Sequence, residues 1–525
     1  MLRQIQRLGA CSAESLTTVK IDSTIFKPDA IEQAVMESKM IRGLDMRKNL
    51  KLVFVLVICL GMLIPASALA ERVDLKGEKI TMSILGIAGW FPSKLGVDMS
   101  PAFADYAKQK YGYDVQFTFE EAPFETLFQK AAASLATRSD DYNIIVSDSQ
   151  WLGGFAAPGW IVKLNDMIEK NPNLKAIEYH DQIVVDTYMS YPLGSDNYWG
   201  FPLEGDTMVL YVRKDKLLDP AERKAFNDKY GFEMPKTFED FESLTYPDFV
   251  KILEFFTRPE QDFYGIAQHY SKGYDFVCTG AHNYIWSRGG RIWDNKTGQV
   301  WGVLNTPENA KSLAEYKASL KYAPPGAVNY DNGGIMEAWN GGKVFCAVMW
   351  AAVGQYMMEP KDGQAMIVPP PAHLINGDGK PNRIYSMGGQ PWVINAFNDK
   401  EKMQVAEDFM EWWYTEDVQM EFARRGGNPV IKSVLNKPGF EDIKPWFRGY
   451  KWMLSTSKGR DFWHNPMYAV MMAKQQEAFH AYITDQVKDP KVSLDYAAYH
   501  VQKLLYDHGS TKIKPPAEGA KIELK

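Results

Sequence analysis

The chain has 525 residues, with 59 lysines and arginines against 65 aspartates and glutamates and a formal net charge of −6. The first 70 residues hold 9 of the basic and 6 of the acidic side chains, so the remaining 455 carry a net charge of −9. Such a chain offers no basic face to neutralise phosphates, which argues against a nucleic-acid partner, and it is long enough for two lobes with cores of their own.

In chain order, the first informative stretch starts at Met46. A basic segment, Met46-Arg47-Lys48-Asn49-Leu50-Lys51, precedes an apolar run from Leu52 to Ile64 and then Pro65-Ala66-Ser67-Ala68-Leu69-Ala70. Basic start, apolar middle and small-x-small end specify a secretory signal peptide over 46–70, with cleavage expected after Ala70. The apolar run has 13 residues. That is too short for a hydrocarbon core, which needs about 20, although an uncleaved anchor is the alternative reading. Residues 1–45 precede a complete signal and are expected to be an upstream extension outside the true protein. Ile58 before Cys59 does not fit a lipoprotein cysteine, and Arg47-Lys48 is not a twin-arginine pair. The expected destination is the periplasm.

Past the signal, strands are predicted at Ile80–Gly86, Asp114–Phe119 and Tyr142–Ser147, with helices at Met99–Tyr111 and Phe124–Thr137 between them. This alternation predicts βαβ units and a mostly parallel sheet, in which ligands sit at the carboxyl ends of strands. Those ends carry Gly89-Trp90-Phe91, Glu120-Glu121 and Asp148-Ser149-Gln150-Trp151. Gly200–Asp206 then leads into a strand at Thr207–Val212. Helices follow near Thr237–Phe256, Ala281–Arg288 and Pro307–Tyr322, and strands at Val344–Trp350 and Pro391–Ile394. Helices at Lys400–Trp413 and Asp417–Arg424 approach the end.

Two cysteines follow the signal, Cys278 and Cys346. In an oxidising compartment they fit one disulfide, and Cys346 within the apolar run Val344–Trp350 equally fits a buried thiol. All 15 tryptophans also follow the signal. Tryptophan gives sugars a flat apolar face, and it also fills cores, so the count alone decides little.

Several short motifs then line up in one order. Asn143-Ile144-Ile145-Val146-Ser147-Asp148, Trp151-Leu152-Gly153-Gly154-Phe155 and Trp199-Gly200-Phe201-Pro202 come first. Gly289-Gly290-Arg291-Ile292-Trp293-Asp294, Asn305-Thr306-Pro307-Glu308 and Gly342-Lys343-Val344-Phe345 follow. Gly388-Gly389, Glu416-Asp417-Val418-Gln419 and Gly426-Gly427-Asn428-Pro429 complete the set. In order and spacing the set resembles the family 1 extracellular solute-binding proteins of ABC importers, the group containing maltodextrin-binding protein. The resemblance covers essentially all of the chain after the signal.

It implies a type II periplasmic-binding-protein fold, two α/β lobes joined by a hinge with the ligand cleft between them. The first lobe would comprise residues 71–202 plus 392–428, and the second 203–390 plus 429–525. The implied activity is capture of a neutral sugar, oligosaccharide or polyol by hinge closure and its delivery to membrane permease subunits. The protein would be a monomer and not an enzyme, with no cofactor and no metal. A glycerol-phosphate-type anion as cargo, or an exported carbohydrate-active enzyme, are the alternatives.

A sugar needs flat faces for its C–H sides and strong acceptors for its hydroxyls, and a charged acceptor roughly doubles a hydrogen bond's strength. The candidates are Trp90, Glu121, Asp148, Gln150, Trp151, Glu204, Asp206, Trp286, Trp350, Gly388, Gly389 and Trp392. Trp90, Trp350 and Trp392 equally suit a core, and Asp148 equally suits a helix N-cap. Glu204 and Asp206 equally suit an exposed turn. Gly388 and Gly389 admit either a ligand's close approach or a hinge. Other chemistry is thinly signalled. Gly341-Gly342-Lys343 is half a phosphate loop without its Ser or Thr, and Asn376-Gly377-Asp378-Gly379 lacks the rest of a calcium loop.

Overall fold

A computed structural model describes residues 72–174, 179–375, 379–455, 458–461 and 463–524. The expected signal peptide, its expected cleavage site, the expected upstream extension and Asn376–Asp378 lie outside the described residues. Leu69–Lys525 forms one compact unit.

Eleven strands organise it. They are β1 (Lys79–Ile87), β2 (Asp114–Ala122), β3 (Ile144–Val146), β4 (Phe201–Arg213), β5 (Tyr264–Ala267), β6 (Val344–Trp350), β7 (Ala365–Val368), β8 (Leu374–Ile375), β9 (Pro381–Asn382), β10 (Tyr385–Ile394) and β11 (Gly459–Arg460). The main sheet runs β2-β1-β3-β10-β4-β6-β5, with β7 on β4 and β11 on β10, while β8 and β9 pair separately. β1 pairs in parallel with β2 and β3, as the alternating pattern predicts. However, β10 pairs antiparallel with β3 and β4, and β4 antiparallel with β6 and β7, so the sheet is mixed and not mostly parallel. Helices cover the strands, giving the mixed α/β two-lobe architecture expected from sequence.

Two long strands tie the halves together. The last residues of β10, Trp392–Ile394, pair with β3, and Met387–Trp392 pair with β4. β4 in turn pairs through Met208–Val212 with β6. All 13 residues of β4 are buried, acids included. The strand predicted at Thr207–Val212 therefore begins earlier, at Phe201, because β10 supplies partners for its first half. Pro202 stands opposite Pro391 beside a bulge between Gln390 and Pro391, where neither proline has an N–H to donate. Gly389 adopts φ +114°, and a Cβ there would lie 2.7 Å from the Glu204 carbonyl oxygen. Only glycine fits that crossing.

Several helix bounds differ from the sequence expectation for local reasons. The helix expected over Met99–Tyr111 is Ala102–Lys110, and a separate helix, Phe91–Met99, precedes it, with Pro101 at the break. The segment Thr237–Phe256 is also two helices, each started by a threonine cap, Thr237 and Thr245. The helix expected at Ala281–Arg288 runs from Phe276 to Ser287, and every residue in it is buried. A helix buried all round has no polar stripe to reveal its length. Cys278 and Cys346 are buried free thiols, not a disulfide.

Candidate ligand cleft

The ends of these strands converge on one cavity of about 270 Å³. Gly89 and Trp90 follow β1, Asp148 and Gln150 follow β3, and Asp206 comes from the middle of β4. Trp350 ends β6, and Gly388, Gly389 and Gln390 come from β10. Tyr274, Asp275 and Phe276 at the start of the buried helix close another side, and Asp331 and Asn332 begin the helix Asn332–Asn340 beyond them.

Of the two acids of β4, Asp206 lines the cavity and Glu204 is tied to it through Trp90. Trp90 donates its indole N–H to Glu204 Oε1 at 3.3 Å. Asp206 Oδ1 accepts backbone N–H bonds from Thr207 at 2.8 Å and Ala352 at 3.0 Å. The second oxygens, Glu204 Oε2 and Asp206 Oδ2, are buried without a partner, as are Gln150 Oε1 and Gln390 Oε1. Buried acceptors are almost always satisfied in folded proteins, so four together mark a place built to be completed by something else.

The electrostatics follow from burial. Both β4 carboxyls are pushed well above the usual carboxylate range by burial, and the Asp206 charge pushes Glu204 higher still. Backbone N–H groups of Ala352, Thr207 and Ala351 act against that rise at Asp206. A carboxyl in either protonation state can accept a hydrogen bond from a ligand hydroxyl. Burial also raises Asp148 to about 7, with the Asp275 and Asp461 charges adding to it. Asp275 rises to about 6 for the same first reason, although Gln150 donates to its Oδ2 at 2.8 Å.

Aromatic rings form the walls. Trp350 lies over Gly388, where a Cβ would come within 3.1 Å of the ring. Trp90 meets Phe124 edge-on at 5.5 Å between centroids, and Phe124 meets Tyr274 at 5.4 Å. Tyr274 holds φ +40°, a left-handed backbone that a bulky residue seldom adopts. Beyond the Phe124–Tyr274 pair lies a second cavity of about 230 Å³, lined by Phe128, Trp151, Tyr468 and Met472 among others. It shares Phe124, Glu125, Gln150 and Tyr274 with the first.

The structure thus brings together Trp90, Asp148, Gln150, Asp206, Trp350, Gly388 and Gly389, with Glu204 hydrogen-bonded to Trp90. Asp148 is an N-cap as well, since its Oδ1 accepts from the Gln150 N–H at 3.1 Å. The alternative of exposed turns for Glu204 and Asp206 fails because β4 is buried throughout. Four candidates go elsewhere. Trp151 lines the second cavity. Trp392 is fully buried against Phe409 and Trp413 because its strand end pairs with β3 inside the core. Trp286 faces a separate cavity with Leu193, Trp293 and Arg460. Glu121 is exposed on the edge strand β2. Sequence reading missed Phe124, Glu125, Tyr274, Asp275, Phe276, Asp331, Asn332 and Gln390. The paired glycines beside Gln390 were a usable signal for it, whereas Tyr274-Asp275 follows an irregular turn that carries none.

With this geometry in view, comparison with known proteins is decisive. The model of the family described as bacterial extracellular solute-binding protein matches residues 94–420, well over half of the chain. The chain belongs to that family. Solved structures agree on the fold. A solute-binding protein of an Agrobacterium radiobacter K84 ABC transporter, in complex with ribitol, superposes with a TM-score of 0.64 at 24% identity, over 82% of this chain and 100% of that one. Maltose-bound MalE3 of T. maritima gives 0.64 at 18% identity, over 81% and 100%. A solute-binding protein of Agrobacterium vitis S4 with bound D-mannitol gives 0.59 at 18%, over 82% and 98%. This binding protein's second cavity is walled in part by Asn465–Gln476, beyond the matched segment. Among the described residues no helix is long and apolar enough to cross a membrane.

Proposed function

We propose that this protein captures a neutral sugar, oligosaccharide or polyol in the periplasm and delivers it, as a monomer, to the permease of an ABC importer. It holds and releases its cargo without making or breaking a bond. The supporting observation is the convergence of three partnerless oxygens, on Gln150, Asp206 and Gln390, in a cavity that Trp90 and Trp350 also line, with a fourth on Glu204, which is bonded to Trp90. Hydroxyls donate to such acceptors, and C–H faces lie on such rings. Among the described residues lining the cavity there is no lysine or arginine, which disfavours an anionic cargo. The ribitol, mannitol and maltose held by the structural relatives are of this class.

β4 and β10 serve as the hinge, between a lobe of residues 71–202 plus 392–428 and a lobe of 203–390 plus 429–525. Closing the lobes brings the Gln150 side chain onto Asp275 and completes the walls. Thermal unfolding with ribitol, mannitol, maltose and glycerol 3-phosphate tests the reading. A neutral ligand at 100 times its Kd stabilises by about 2.7 kcal/mol. No shift with any of the neutral compounds, or turnover of any of the sugars, overturns it.

A further inference from the structure

A cavity of about 290 Å³, separate from the cleft, is lined by Trp286, Arg291, Trp293, Arg460 and Asp461, with Leu193 and Ile292 at its sides. Arg460 belongs to β11, whose backbone is fixed by pairing with Ser386 of β10. Its guanidinium is half-buried, yet among the described residues it makes no hydrogen bond, ion pair or ring contact. Other arginines withdrawn from water are saturated. Arg213 grips Asp215 with two bonds of 2.8 Å, and Arg383 donates to the Phe241 carbonyl at 2.9 Å and the Glu242 carbonyl at 3.0 Å. A guanidinium partly withdrawn from water and without a protein acceptor keeps its N–H donors available to an anion.

The neighbours of Arg460 do not neutralise it. Arg291 adds a second positive charge to the same cavity and already holds Asp294 at 2.8 Å. Burial first, and the Arg291 charge second, pull the Arg460 pKa below its ordinary value. Asp461 is the acid at hand, but its carboxylate is engaged, accepting from His464 Nε2 at 2.8 Å and from Ser149 Oγ at 3.5 Å. His464 is drawn toward its charged form by that bond against the opposing effect of burial.

We propose that this cavity is an oxyanion-binding site, in which Arg460 and Arg291 receive a phosphate or carboxylate group. A guanidinium fork matches either group with paired N–H donors. The volume is several times the ~30 Å³ share of a water molecule, so an organic body attached to the anion also fits. Trp293, a partly buried ring on the cavity wall, supplies a flat face for that body. The site shares no lining residue with the acidic cleft, and its proposal stands apart from the sugar reading.

Thermal unfolding of the purified protein with sodium phosphate and with sodium glucuronate, each against sodium chloride at matched ionic strength, tests it. The expected result is a concentration-dependent rise in Tm of at least 2 °C with one of the two. A larger rise with glucuronate assigns the carboxylate of an organic acid, and a larger rise with phosphate assigns a phosphate group. Arg460→Gln removes the rise, and Arg291→Gln, a change at a half-exposed residue that folding tolerates, weakens apparent affinity at least fivefold. No rise with either anion overturns the proposal, and so does an equal rise in the two variants.

Discussion

Asp206, in the cleft, and Asp408, under the outer helix Lys400–Trp413, are aspartates buried to the same degree. Their surroundings differ. Asp408 accepts from the Arg72 guanidinium at 2.8 Å, the Tyr113 hydroxyl at 3.0 Å and the Gln404 amide at 3.2 Å, using both oxygens. Asp206 accepts only backbone N–H groups and only on Oδ1. Burial therefore does not distinguish a binding carboxylate from a structural one. Unused acceptor capacity on a residue that lines the cavity does, because a ligand hydroxyl can complete it there. Trp350 and Trp392 repeat the contrast, one under a glycine at the cleft and one between Phe409 and Trp413 in the core.

The tryptophan pair gives the largest expected effect. Trp392→Ala removes a fully buried indole and lowers stability by about 4 kcal/mol in denaturant unfolding. Any ligand affinity that survives should be little changed. Trp350→Ala should cost less stability and weaken sugar or polyol binding about tenfold, or about 1.4 kcal/mol. Equal stability losses with no affinity change for Trp350→Ala would move that residue into the core class.

The aspartate pair comes next. Asp206→Asn keeps the shape but replaces one of the two carboxyl oxygens with an amide NH2, and titration calorimetry should show about 100-fold weaker binding, or about 2.7 kcal/mol, with stability unchanged or raised. Asp408→Asn should do the reverse, costing about 1–3 kcal/mol of stability through Arg72 and Tyr113 and leaving affinity alone. If both variants lose affinity equally, unused acceptor capacity is not the discriminating property.

Much of the fold was legible in sequence because its signals are local. Strand–helix alternation gave the β1–β3 sheet half, and β6 and the helix Lys400–Trp413 came out at their predicted bounds. The site was legible where it depends on strand ends, as at Trp90, Asp148 and Trp350. It was not legible where tertiary pairing decides. Nothing local in Phe201–Asp206 says that β10 will extend the strand and bury Glu204. Nothing local says that the turn before Phe276 will carry Tyr274 onto Phe124. Trp286 and Trp392 looked like cleft candidates because an indole on a strand or helix near a glycine reads the same in core and cleft.

A pH test sharpens the contrast between cleft acids and ordinary surface acids. Asp148 titrates in the folded protein at about 7 against an ordinary value of 3.8. The folded state therefore binds this proton more tightly than the unfolded state. The associated stability is fully present below about pH 4 and is lost as pH rises through about 7, a loss of about 1.5 kcal/mol between pH 5.5 and pH 7. Asp148→Asn should flatten that part of the stability profile of the ligand-free protein. A salt-bridged surface acid such as Glu120, held down by Lys130 and Tyr142, has the opposite sign. An unchanged profile in the variant would mean that Asp148 is ionised and solvated in solution.

The smallest expected effect belongs to Glu121, and it tests the comparison from the other side. Asp148 and Glu121 both stand at the ends of strands that run parallel to β1 in one sheet, so position along the strand does not separate them. Position across the sheet does. β3 is central, flanked by β1 and β10, and its end opens under the crossing strands, whereas β2 is the sheet's edge and Glu121 there is exposed, opposite Gly86. Water already satisfies an exposed carboxylate, so it gains little by meeting a ligand hydroxyl. Glu121→Gln should leave affinity within about twofold and stability within about 0.5 kcal/mol. A tenfold loss of affinity would mean that the closed cleft extends across β1 to the sheet edge, and that a strand's place in the sheet does not by itself decide whether the acid at its end binds.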